Sequence, residues 1–152
     1  MTTDAAHKPK VGVMPAGHRD TQGWPLSPEI EKFLAADGQG ILTTLRPDGT
    51  LHSVPVSFTW DSEARLARVM TVGMSKKARN LVQAPGGRVS LCQRDNISSW
   101  VTLEGTGTVH DDAERLADGS RRYSERYGKD WLNPPNPVVI EIAVDRVMSR
   151  NV

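Results

Sequence analysis

Cysteine is nearly absent from this chain. A lone Cys92 among 152 residues excludes an internal disulfide, and no Cys/His array has the spacing of a zinc site. Cys92 closes the apolar run Val89-Ser90-Leu91-Cys92, which places it as a small buried core residue rather than a reactive thiol. An excess of charge is missing too: 19 Lys and Arg stand against 18 Asp and Glu, for a formal net charge of +1. That balance gives no sign of the one-sided field of a nucleic-acid binder. No stretch approaches the roughly 20 apolar residues of a membrane span, and no apolar run follows a basic start, so a cytoplasmic protein with neither nucleic acid nor membrane as partner is expected. Gly-x-Gly-x-x-Gly after a strand and Gly-x-x-x-x-Gly-Lys are both lacking, which removes Rossmann dinucleotide binding and P-loop chemistry. There is no internal repeat.

What is present is the composition of a soluble globular protein, with 38% hydrophobic and 24% charged residues. A chain of this length forms one domain and buries roughly two-thirds of its unfolded surface. Residues 1–25 have no apolar period and read as a flexible arm with Trp24 as its anchor, followed by a domain over 26–152. Ser27-Pro28-Glu29 caps a first helix whose apolar face is Ile30, Phe33 and Leu34. Strands are expected at Ile41–Leu45, Leu51–Trp60, Leu66–Val72, Val89–Arg94, Trp100–Val109 and Val138–Val144. Turns at Arg46-Pro47-Asp48-Gly49 and at Asp61–Ala64 join the first three, and Gly105 and Gly107 mark a bend or bulge. Ser75 caps a helix over Lys76–Val82, and Asp111-Asp112-Ala113-Glu114 opens another that carries Tyr123 and Tyr127 as far as Gly128. The fold class that follows is mainly β: a six-stranded antiparallel barrel with a few peripheral helices.

The most informative segment is Gly73-Met74-Ser75-Lys76-Lys77-Ala78-Arg79-Asn80. Two lysines in the first turn of a helix oppose the partial positive charge and free N–H groups already there. An anion at the site relieves that conflict, and a phosphate suits it best. Solvated surface lysines are the competing reading. His52 and His110 read as single surface histidines, and no constellation of carboxylates, Cys or Ser completes a nucleophile or metal site.

From Ile41 to Arg150 the chain resembles the pyridoxamine 5'-phosphate oxidase-like split β-barrels, and within them the actinobacterial branch that uses the deazaflavin coenzyme F420. The stretches carrying the resemblance are Leu42–Arg46, Phe58–Asp61, Ala67–Gly73, Ser75–Asn80, Leu103–Gly105 and Val138–Ile142. It implies that Lys76 and Lys77 clamp a cofactor phosphate, and that Pro55, Val56 and Ser57 on one strand and Met70, Thr71 and Val72 on another flank a flavin-like ring. It further implies secondary contacts from Ser75 and Asn80, and one phosphate hydrogen bond fewer at Ala78, where some relatives carry a hydroxyl. Trp100 matches a position near the cofactor, although a core or dimer-interface aromatic is an equal reading. The resemblance also implies a homodimer with cofactor between subunits, and hydride transfer to a conjugated organic substrate, with biliverdin-like compounds within that class. An FMN-dependent oxidoreductase and a non-catalytic cofactor- or haem-binding module stay open as alternatives.

Overall fold

The computed structural model describes residues 18–19, 23–95 and 97–152. Of the expected N-terminal arm, residues 1–17 and 20–22 lie outside the described residues. The elements in chain order are β1 (His18–Arg19), α1 (Pro28–Ala35), β2 (Gly40–Leu45), β3 (Leu51–Val56), β4 (Thr59–Asp61), β5 (Leu66–Val72), α2 (Lys76–Gln83), β6 (Gly87–Arg94), β7 (Trp100–His110), α3 (Ala113–Tyr127) and β8 (Pro137–Arg150). Every strand pair is antiparallel, and the sheet runs β3-β2-β6-β7-β8-β5-β4 with β1 on the far end of β8. The architecture is the mainly-β, split-barrel class expected.

The strand count is not six. Eight strands pair in one sheet among the described residues, because the expected Leu51–Trp60 strand is broken and the arm contributes a short strand of its own. The break has a local cause. Pro55 has no N–H to donate to a ladder, and the Phe58 N–H donates to the Tyr127 hydroxyl 3.1 Å away rather than to a neighbouring strand. β8 runs on past Val144 to Arg150 because β7 pairs with it throughout, across one register irregularity at Glu104/Gly105. A β-carbon on Gly105 would lie 2.0 Å from the Ala143 carbonyl oxygen, so only glycine permits this bulge.

The core lies inside the curled sheet. Leu42, Leu91, Leu103, Val69, Ile140 and Ile142 alternate inward from five strands, and Ile30 and Leu34 of α1 are buried with them. α2 rests on β7 at Gly107, where a β-carbon would stand 2.9 Å from Leu81. Trp24 does anchor its segment: its ring stacks on Trp60 at 6.2 Å, and the Arg65 guanidinium lies 4.3 Å from its centre. One expectation fails in the core. Cys92 is only half-buried, because its position in β6 alternates with Leu91 and faces the outer side of the sheet with exposed Ile41 and Leu45.

Candidate functional site

The site is built where β5 hands over to α2. Ser75 caps the helix, its hydroxyl accepting the Ala78 N–H at 3.3 Å, while its own N–H donates to the Val72 carbonyl at 3.0 Å. The amides of Lys76 and Lys77, at the first two helical positions, are left without intrahelical acceptors. α1 places Glu29 and Glu31 in its first turn and α3 places Glu114 there, whereas the first turn of α2 holds no acid. Among the described residues no carboxylate pairs with either lysine. Burial pushes the Lys77 ammonium below the usual lysine range. A half-buried cation beside free N–H groups, with no protein counter-charge, is a site shaped for an anion.

Lys77 looks into a cleft of about 220 Å³. Pro55, Val56 and Ser57 line it together with Val69, Met70, Tyr123 and Trp131. Four elements and a loop therefore converge there: β3, β5, α2, α3 and the segment after α3. Met70 reaches α3 because residue 119 is glycine; a β-carbon there would come within 2.5 Å of the Met70 sulfur. Tyr123 and Trp131 escaped the sequence reading. Tyr123 was visible only as a helical repeat with Tyr127, and Trp131 only as a large aromatic ahead of an Asn/Pro-rich loop in a chain poor in aromatics.

The remaining residues named from the sequence fall elsewhere. Lys76 and Ser75 sit at the helix start beside the cleft rather than in its lining. Thr71 is buried, and Val72 continues β5 toward the cap. Ala78 is fully buried, its methyl group in the core and its N–H taken up by the cap. Asn80 is 2% exposed, and its amide donates to the Thr44 hydroxyl at 2.9 Å, leaving Oδ1 buried without a partner. Trp100 is not brought to this cleft within one chain; it lines a separate cavity with Cys92, Arg94 and Arg150 on the outer side of the sheet.

His52 is not the surface histidine expected. It lies opposite Thr44 in the β2–β3 ladder, half-buried, with Nδ1 sealed off and unpaired. Burial, followed by the charges of Arg46, Lys77 and Lys76, holds its imidazole below the usual histidine range. His52 and Asn80 thus meet at Thr44 beneath the two lysines, and every charge acting on His52 is positive.

Comparison with known proteins identifies the family and the fold. The pyridoxamine 5'-phosphate oxidase family profile matches residues 26–151. An F420H2-dependent biliverdin reductase of Mycobacterium tuberculosis is 39% identical over 123 residues, covering 81% of this chain and 87% of that protein. Among solved structures, a conserved hypothetical protein of Mycobacterium tuberculosis superposes with a TM-score of 0.70 at 24% identity, covering 86% of each chain. A structure described as an F420 reductase superposes with a TM-score of 0.60 at 23% identity, covering 77% of this chain and 94% of that one.

Proposed function

This chain belongs to the pyridoxamine 5'-phosphate oxidase family, and from that premise we propose that it is a coenzyme F420-dependent oxidoreductase, reducing a conjugated organic acceptor of the biliverdin type as a cytoplasmic homodimer. The observation that carries this reading is Lys77, a half-buried cation without a counter-charge at the mouth of a cleft whose walls suit a planar ring. Such a residue fits the phosphate of the cofactor, and the likeness to an F420H2-dependent biliverdin reductase is the reason for proposing coenzyme F420 ahead of FMN.

When bound, the cofactor supplies the hydride chemistry. The protein's own part is binding and orientation. Lys77, Lys76 and the free amides of the α2 start hold the phosphate, Pro55–Ser57 and Met70 hold the ring, and Tyr123 and Trp131 exclude water from the open side. The exposed apolar residues Ile41, Leu45 and Leu51 on the outer sheet face provide the surface for a second copy.

Side-by-side titration with coenzyme F420, FMN and haem tests the reading. Coenzyme F420 is expected to bind at least about tenfold more tightly than FMN, a gap of about 1.4 kcal/mol. Sedimentation at micromolar concentration is expected to give a dimer, and the reduced cofactor to be consumed only when an acceptor such as biliverdin is added. Equal affinities for the two cofactors, or tight binding with no consumption, would overturn the enzyme assignment.

The reading also sets a pH dependence. Burial and the charges of three cations lower the His52 pKa, so a bound phosphate that offsets those cations raises it. A group whose pKa rises on binding takes up a proton with the ligand, so affinity increases as pH falls through the bound-state value and levels off below the free one. Calorimetry in buffers of different ionisation enthalpy is expected to detect uptake of up to about one proton near pH 6, absent in His52→Gln. Equal proton uptake by wild type and His52→Gln would remove His52 from the linkage.

A further inference from the structure

One residue outside the cleft touches two parts of its lining, through its hydroxyl and through its ring. Tyr127 Oη accepts the Phe58 N–H at 3.1 Å and lies 3.0 Å from the carbonyl oxygens of both Phe58 and Gly38, to one of which it donates. Phe58 directly follows Ser57, the last residue of the Pro55–Ser57 wall. The Tyr127 ring also packs against Tyr123, with ring centres 4.9 Å apart and planes tilted by 42°, and Tyr123 lines the same cleft. Resting on the reading above, we propose that Tyr127 is a positioning residue that sets the width of the cleft for a planar heteroaromatic ring, without touching the ring itself.

The neighbouring Arg126 secures the same corner more rigidly. Its guanidinium donates to the Phe58 carbonyl at 2.6 Å, the Ala36 carbonyl at 2.8 Å and the Gln93 side chain at 3.0 Å, and stacks 4.5 Å above the Phe58 ring. All three acceptors are neutral, and burial lowers the Arg126 pKa. Arg126 thereby pins the last turn of α3 to this corner, while Tyr127 joins the strand kink to Tyr123 in the cleft lining. Deleting the Tyr127 hydroxyl leaves the Phe58 N–H without its acceptor at the bend between β3 and β4, yet leaves Lys77 and the start of α2 untouched.

Separating ring affinity from phosphate affinity tests this. Tyr127→Phe is expected to bind inorganic phosphate within about twofold of wild type, while affinity for coenzyme F420 and for FMN falls about fivefold or more and the absorbance bands of the bound cofactor move toward those of the free one. A purely structural role would lower the melting temperature and leave the ratio of cofactor to phosphate affinity unchanged, and that result overturns the proposal. Should Tyr127→Phe not fold, hydrogen exchange at the Phe58 amide in wild type decides. Slower exchange with cofactor but not with phosphate supports the tie, and equal effects, or none, overturn it. A wild type that binds neither cofactor removes the functional reading and this inference together; a wild type that binds, with an unchanged ratio in the variant, removes this inference alone.

Discussion

Lys77→Ala is expected to weaken coenzyme F420 binding roughly ten- to hundredfold while the protein stays folded. A hydrogen bond to a charged group contributes about 1.5 to 3 kcal/mol, which is that range of affinity. In the free protein Lys77 has no carboxylate partner, and burial disfavours its charge. Its removal therefore costs the fold little. Lys32→Ala on the polar side of α1 serves as a control of equal charge change and is expected to leave affinity unaltered. Because Lys76 shares the same phosphate, Lys76→Ala/Lys77→Ala is expected to be worse than either single change. Raising salt should weaken the wild-type complex more than that of Lys77→Ala, which has already lost one screened contact. Unchanged affinity of Lys77→Ala at low salt would return both lysines to an ordinary solvated helix start.

Arg68→Ala is expected to be strongly destabilising. The Arg68 side chain is 9% exposed and donates to Asp61 at 2.9 Å, with Glu141 at 3.4 Å and Asp118 at 3.7 Å. Arg122 also reaches Asp61, at 3.1 Å. Burial works to raise the Asp61 carboxyl, but hydrogen bonds from Arg68 and the Ala64 N–H, with the charges of Arg122 and Arg68, hold it below the usual carboxylate range. Removing one partner of a buried pair leaves the other charge uncompensated, at a cost of about 3 to 5 kcal/mol. For a domain of this size that is a drop in melting temperature of about 10 °C. The exposed pair Arg88–Asp145 is the contrast: Arg88→Ala should cost no more than about 1 kcal/mol. The sign with pH follows from the depressed carboxyl. Stability from Asp61 is present above the normal carboxylate range and is lost as pH falls through its lowered value, so the difference between Arg68→Ala and wild type narrows in acid. Equal melting temperatures for Arg68→Ala and Arg88→Ala would show that the buried network contributes nothing.

Much of the fold was legible along the chain. Ser27, Ser75 and Asp112 each cap the helix that their position announced, and Leu66–Val72 is a strand with the bounds its pattern predicted. The bulge expected around Gly105 lies there. Within the candidate site, the conflict of two lysines at a helix start could be read from eight consecutive residues, because charge and capping are local properties. Tyr127 and Arg68 could not. Tyr127 counted as one more apolar member of a helical stripe, and nothing in its own neighbourhood says that its hydroxyl ends a strand 69 residues earlier. Arg68 drew no reading from the sequence, and its partners come from β4, α3 and β8. Trp100 points the same way: its distance from the Lys77 cleft depends on which side of the curled sheet it faces.

By itself, then, the amino-acid order determined which segments are helix and strand, where the chain turns, and that one helix start wants an anion, since periodicity, caps and turn residues act over a few bonds. Only the tertiary structure decided which strand ends and which helix enclose a cleft beside that anion site. Walls drawn from residues 55, 70, 123 and 131 exist only once long-range antiparallel pairing and the packing of α3 over β5 have brought them together, and the free energy that does so is spread over the whole core rather than written in any one segment.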